Sequence, residues 1–182
     1  MKFNPEEYVI NNLVFVPFIS KNEIDDAIIK IASRINKDYK NKTPLFLITL
    51  KGAIFFAADL LRFIKIDCEI ETISAKSYGE KMETSGKVKV MLENIDLTGK
   101  DIIILEDIVD TGLTLEKLKQ VINLRSPRSI SVASLLAKPE KFCVDVKIDY
   151  LGFSIPPRFV IGNGLDFDER GRNLSGIYVL KD

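Results

Sequence analysis

The sequence contains no histidine. That absence removes Ser-His-Asp and Cys-His nucleophile arrangements, imidazole acid–base chemistry and the usual zinc sites, so proton transfer falls to carboxylates, lysine or tyrosine. Cysteine is nearly as scarce. Cys68 and Cys143 lie far apart, form no CxxC pair and offer no disulfide framework, which reads as two packed thiols in a reducing cytoplasm. An excess of charge of either sign is missing too: 26 Lys and Arg balance 26 Asp and Glu. No overall basic field exists to hold a nucleic-acid backbone or an anionic membrane surface, and any anion site has to be local. Long uninterrupted apolar runs are also lacking, since the most apolar stretch, Leu45 to Ile66, carries Lys51, Asp59 and Arg62. The segment Met1 to Glu7 lacks the basic-then-apolar pattern of a signal peptide.

What is present suits one domain with a sizeable core: 182 residues, 46% hydrophobic and 29% charged. Apolar runs of strand length alternate with helix-period segments, which points to an α/β domain with a mostly parallel central sheet flanked by helices. Ser20-Lys21-Asn22-Glu23 has the form of a capping box and opens a helix with Ile24, Ala27, Ile28, Ile31 and Ile35 on one face, ending near residues 36–40. Leu45 to Thr49 reads as a strand buried on both faces, followed through Lys51-Gly52 by a helix ending near Phe63. A strand is expected around Glu69 to Ala75, then a polar, mobile loop from Lys76 to Lys87. Asp101 to Leu105 supplies another buried strand, an acidic glycine-containing turn follows, and then an amphipathic helix from Leu115 to Leu124. Ser129 to Ala137 completes the parallel core. After Lys138 the prolines and glycines multiply, and a smaller lobe is expected beside the carboxyl edge of the sheet. The core is thus placed at about 20–138, with a hood from about 1–19 and 139–182.

The most informative segment is Glu106-Asp107-Ile108-Val109-Asp110-Thr111-Gly112-Leu113-Thr114, between a buried strand and a helix. Such a turn exposes N–H groups at a helix N-terminus, where unpaired donors and the helix dipole favour a phosphate. Gly112 lets the backbone approach closely, and Thr111 and Thr114 add hydroxyls. Two carboxylates would repel that phosphate unless a cation or a diol stands between them. A sugar with a magnesium ion reconciles the two, because magnesium takes one or two carboxylates and completes its shell with substrate oxygens and water. An isolated Asp-Thr-Gly is more often a helix cap, whereas the nine-residue string after four aliphatics is far more specific.

That string resembles the phosphoribosyl diphosphate signature of the type I phosphoribosyltransferases, closest to the hypoxanthine-guanine branch. The resemblance runs from about Val14 to Leu180, with its motifs in family order. It implies the fold of that family with a small hood lobe, and transfer of a 5-phosphoribosyl group to hypoxanthine or guanine with Mg2+. It also implies roles: Glu106 and Asp107 hold the ribose hydroxyls and, with Asp166, the metal shell. Asp110, Thr111, Gly112, Leu113 and Thr114 take the 5′-phosphate, and Asp110 is the general acid/base at the purine's five-membered ring. Lys51, Gly52 and Arg172 bind diphosphate, often through a strained peptide bond before the lysine. Ser77 and Tyr78 belong to a flexible lid that excludes water from a cationic sugar transition state. Lys138 donates to the exocyclic oxygen of a 6-oxopurine, Phe159 stacks on the base, the Val160 backbone reads its edge, and Asp166 lies nearby.

Taken singly, several of these have plainer readings: Lys51 and Lys138 as solvated strand-end lysines, Phe159 as core, Lys76 to Gly79 as ordinary loop. The chain also departs from the pattern at Asn163 and Gly171, where relatives commonly carry aromatics, so packing around the base pocket or between subunits is expected to differ. Relatives are commonly dimers or tetramers, which makes a homo-oligomer the expectation. Two rival readings of the acids remain at this stage: a non-enzymatic regulator on the same fold, which the balanced charge disfavours, and a phospho-accepting receiver domain.

Overall fold

The computed structural model describes residues 6–78, 87–91 and 95–181, with 75–78 and 87–91 known by their backbone alone. The larger sheet is six-stranded, in the order β5-β4-β3-β6-β7-β8. Its strands are β3 (Leu45–Leu50), β4 (Glu69–Tyr78), β5 (Lys87–Met91), β6 (Asp101–Val109), β7 (Ser129–Ala137) and β8 (Tyr150–Ser154). The pairs β4·β3, β3·β6, β6·β7 and β7·β8 are all parallel, and only β5 runs antiparallel. Parallel strands covered on both faces need apolar residues at consecutive positions, and Leu45 to Ile48 and Ile102 to Leu105 supply them.

The two faces sort by strand parity. Phe46, Ile48, Ile103 and Leu105 pack under α1 (Lys21–Asp38) and α2 (Ile54–Leu61). Leu45, Leu47, Ile102 and Ile104 pack under α3 (Leu113–Asn123) through Leu115, Leu118 and Ile122. The capping box at Ser20 and Glu23 is formed in both directions. Helix α1 buries Ile24, Ile28, Ile31, Ala32 and Ile35, so Ala32 rather than Ala27 completes the stripe. Each buried isoleucine is worth about 1.5–3 kcal/mol of removed apolar surface, which makes this stripe the main hold on the helix.

A second, four-stranded sheet has the order β1-β2-β10-β9 and is antiparallel throughout. It is built from β1 (Tyr8–Ile10), β2 (Leu13–Ile19), β9 (Val160–Ile161) and β10 (Ile177–Leu180), so both ends of the described chain meet in it. Ile10, Phe15, Ile161, Leu174 and Tyr178 form its own apolar cluster. This sheet corresponds to the expected hood, with a shifted boundary: β8 lies within the larger sheet, hydrogen-bonded to β7.

Two other expectations change. The segment expected to be loop from Lys76 is strand as far as Tyr78, and Lys87 already belongs to β5, pairing Tyr78 with Lys87. Polar residues on a strand at the sheet's edge look like loop when read locally, because the partner strand supplies the order. Residues 79–86 of that predicted loop lie outside the described residues. Strand β6 continues past Leu105 to Val109, so Glu106 and Asp107 stand on the strand rather than in the turn. Among the described residues no helix is long and apolar enough to cross a membrane.

Candidate functional site

Every parallel strand of the larger sheet presents its carboxyl end to the same rim, the edge where open α/β sheets bind ligands. Glu106 and Asp107 are consecutive on β6 and therefore point to opposite faces of the sheet. Glu106 is 8% exposed, and its carboxylate accepts a 2.6 Å hydrogen bond from Thr49 Oγ1. Burial, then the neighbouring charge of Asp107, pushes its carboxyl up to about 8. Asp107 sits on the other face against Gly52, whose bare α-carbon leaves the space the carboxylate fills. Burial raises Asp107 to about 6, partly offset by backbone N–H donors and by Arg172.

Beyond Val109 the chain turns through Asp110, Thr111 and Gly112 into α3. Gly112 is the N-cap with φ 86°, a left-handed conformation that favours glycine. A side chain there would also strike Val144 and Val146. The cap has no side-chain hydrogen bond, which leaves the first N–H groups of α3 for a ligand. Cys143 N–H donates to Thr111 O at 3.0 Å and ties the following loop to this turn.

A cavity of about 320 Å³ is lined by Glu106, Asp107, Asp110, Thr111, Gly112 and Thr114. Asp107, Asp110 and Thr114 therefore share one hollow. Leu113 opens α3 without lining it, so its contribution is confined to the backbone. A second hollow of about 270 Å³ adjoins the first through Asp107, Ile108 and Asp110, and is walled by Lys138, Phe159, Val160, Leu165 and Asp166. Phe159 is 38% exposed, with its ring held by Phe15 at 6.1 Å and, edge-on, by Phe167 at 5.6 Å. It also lines the second hollow, so Phe159 is only partly the core residue of the plainer reading.

Lys138 is 5% exposed, which excludes a solvated strand-end lysine. Its Nζ lies 3.1 Å from Asp110 Oδ2, while Lys141 Nζ lies 2.7 Å from Oδ1. Lys141 was missed in the sequence. The signal was there in Lys138-Pro139-Glu140-Lys141: proline opens a 3-10 turn over Pro139–Lys141, and residues three apart eclipse in that geometry. Burial works to raise Asp110, but hydrogen bonds and charge from Lys141 and Lys138 outweigh it and hold the carboxyl below the usual aspartate range.

Lys51 and Arg172 stand beside these hollows. The Leu50–Lys51 peptide is cis. Lys51 Nζ is 3.1 Å from Glu169 Oε2, and Arg172 Nη2 is 3.2 Å from the same oxygen and 2.7 Å from Asp166 Oδ1. Glu169 thus joins the two cations and was not anticipated. Gly164, at φ 102°, packs against the Gly52 carbonyl and accepts from Arg172 Nη1 at 2.8 Å. Asn163 occupies a left-handed position at φ 44°, a conformation that asparagine tolerates. Gly171 is left-handed as well, at φ 92°. Ser77 and Tyr78 are the last two residues of β4, and their side chains lie outside the described residues.

The donor set suits a magnesium ion better than a preformed metal cage. Asp107 and Asp166 line one hollow together, whereas Glu106 is turned to the opposite face, and no group of three carboxylates converges among the described residues. Magnesium needs only one or two carboxylates if substrate oxygens and water complete its shell.

With this geometry in hand, comparison with known proteins is direct. The sequence profile of the phosphoribosyl transferase domain matches residues 20–168. The chain belongs to the phosphoribosyltransferase family. It is 39% identical over 163 residues to the hypoxanthine phosphoribosyltransferase of Haemophilus influenzae, covering 87% of this chain and 91% of that one. It is 40% identical over 164 residues to the hypoxanthine-guanine phosphoribosyltransferase of Bacillus subtilis, covering 90% and 91%. Among solved structures, the hypoxanthine-guanine phosphoribosyltransferase of Bacillus anthracis, with a HEPES molecule in its active site, superposes with a TM-score of 0.85 at 40% identity, covering 91% of this chain and 98% of that one. The hypoxanthine phosphoribosyltransferase of Trypanosoma cruzi gives 0.86 at 36% identity, covering 97% and 95%. Phosphoribosyltransferase membership removes the receiver-domain reading and accounts for a parallel sheet carrying a separate hood.

Proposed function

We propose that this chain transfers the 5-phosphoribosyl group from phosphoribosyl diphosphate to hypoxanthine or guanine, releasing IMP or GMP and diphosphate. The observation that carries this reading is the meeting of two hollows at Asp110, one built for a sugar phosphate and one walled by Phe159 and Lys138.

In this reading the N–H groups and hydroxyls of Asp110 to Thr114 bind the 5′-phosphate at the start of α3. Glu106 and Asp107 accept from the ribose hydroxyls. Lys51, the Gly52 N–H and Arg172 take the diphosphate, giving up Glu169 as they do so. Asp107 and Asp166 would hold Mg2+, which would supply positive charge for the departing diphosphate. The purine stacks on Phe159, the Val160 backbone reads its edge, and Asp166 borders the same hollow. Lys138 turns from Asp110 to donate to the exocyclic oxygen, which selects oxo over amino purines because adenine would set donor against donor. The bond from the anomeric carbon to diphosphate oxygen breaks, the bond to the purine nitrogen forms, and the ring proton passes to Asp110. Loss of the Lys138 contact makes Asp110 a stronger base when the purine arrives. Ser77 and Tyr78 close over the diphosphate and exclude water.

The same reading places the protein in a reducing cytoplasm, consistent with free Cys68 and Cys143, of which Cys143 is exposed rather than packed as the sequence suggested. It also makes the protein a homo-oligomer, dimer or tetramer, consistent with Ile54 and Phe55 exposed side by side on α2. One panel tests the activity: phosphoribosyl diphosphate and magnesium with hypoxanthine, guanine, xanthine, adenine or orotate, read by ultraviolet difference and diphosphate release. Turnover with hypoxanthine or guanine and none with adenine or orotate is expected. Ligand binding without any turnover would instead favour a regulatory protein on this fold.

A further inference from the structure

Thr49 ends the run of buried residues on β3, and it is polar where its neighbours are aliphatic. Ile48 pairs with Leu105, so Thr49 and Glu106 are the next step of the same parallel ladder. By strand alternation both side chains fall on the face of Leu45, Leu47, Ile102 and Ile104, under α3. Both are nearly inaccessible, 5% and 8% exposed. Thr49 Oγ1 lies 2.6 Å from Glu106 Oε2 and 2.7 Å from the Leu105 carbonyl oxygen.

A buried carboxylate needs a donor, and Glu106 has few to choose from. The residue across the other ladder, Ser134, gives its hydroxyl to Leu136 O at 2.7 Å instead. No cation pairs with Glu106 among the described residues, and Thr49 is the hydrogen-bond donor those residues offer it. Threonine is β-branched, so its hydroxyl has little rotamer freedom. Its single proton serves either Glu106 or the Leu105 carbonyl, and when Leu105 takes it the Glu106 carboxyl, raised to about 8, donates to Oγ1 instead. Glutamate by contrast has three side-chain torsions to settle. A fixed hydroxyl on one carboxylate oxygen orients the whole group and leaves the other oxygen for a ligand in the hollow that Glu106 lines.

We propose that Thr49 is a positioning residue for the sugar: its hydroxyl holds the Glu106 carboxylate in the orientation that accepts the ribose hydroxyls. The proposal rests on the reading of Glu106 as a ribose-binding group, and the test separates the two. Binding of IMP and of its 2′,3′-dideoxy analogue is measured by calorimetry without metal for the wild-type protein, Thr49→Val, Thr49→Ser and Glu106→Gln. Thr49→Val keeps the shape and removes the hydroxyl, so IMP binding weakens about tenfold, the scale of a lost hydrogen bond to a charged group. Binding of the dideoxy analogue stays unchanged, and Thr49→Ser restores most of the IMP affinity. In steady state, the KM for phosphoribosyl diphosphate rises while that for hypoxanthine does not. Equal weakening of both nucleotides, or none, overturns the role of Thr49. Tight IMP binding that Glu106→Gln leaves intact overturns the ribose role of Glu106 itself, and Thr49→Ala carries the same comparison if the valine variant does not fold.

Discussion

Asp107 rests against the bare α-carbon of Gly52, and a methyl group built on that carbon would overlap the carboxylate itself. The glycine is thus a spacing device for an acid on β6, the strand next to β3 in the sheet. Gly52→Ala should fold, since the neighbour that must yield is a side-chain end rather than backbone. It should nevertheless lower kcat/KM for phosphoribosyl diphosphate by about 10²-fold, the usual effect of displacing a positioned group by an ångström. Steady-state kinetics beside a thermal melt decide the matter: activity near wild type would show that Asp107 need not stand where it does.

Asp110 lines both hollows. Asp110→Ala should leave phosphoribosyl diphosphate binding largely intact while turnover drops by about 10²-fold or more, the scale of losing a general acid/base. Unchanged turnover in a steady-state assay would remove Asp110 from proton transfer.

Lys141 and Lys138 together keep Asp110 ionised below the ordinary aspartate range, against the opposing effect of burial. A depressed native value means that the charged form favours the folded state. The contribution is complete above the ordinary value of 3.8 and is lost as pH falls through the native one. Lys141→Met should therefore move the Asp110 carboxyl titration, followed by carbon NMR and assigned with Asp110→Asn, toward higher pH. A titration that stays in place would mean that Lys138 alone sets it.

At the far side of the core, Ser20 and Glu23 close the start of α1 reciprocally. Ser20→Ala should lower Tm by about 2–4 °C, as expected for a lost cap in a domain of this length, and leave turnover untouched. A melt unchanged by the substitution would assign the helix start to the buried isoleucines alone.

The parts of this protein that could be read in advance are those whose cause is local. Four consecutive aliphatics at Ile102 to Leu105 admit few structures other than a doubly covered strand, and Ser20-Lys21-Asn22-Glu23 carries its own capping partners. The turn from Asp110 to Thr114 was legible for the same reason, since its glycine, hydroxyls and helix start are contiguous. What escaped depends on partners distant in the chain. Tyr78 is strand because Lys87 lies across from it, and Tyr150 to Ser154 join the larger sheet because β7 has a free edge. Thr49 is an unremarkable strand residue until β6 brings Glu106 beside it. Glu169 looks like a surface acid until folding sets Lys51 and Arg172 on either side.

The interleaving of the smaller sheet has a consequence for how far apart, along the chain, two disturbances can be and still reach the same place. Phe159 is braced from one side by Phe15, near the beginning, and its carbonyl accepts the Leu180 N–H, near the end. A proteolytic nick or fused peptide at either extremity would accordingly loosen the aromatic wall on which a purine would lie, and would register as altered nucleobase discrimination before any change in the doubly covered β-layer beneath.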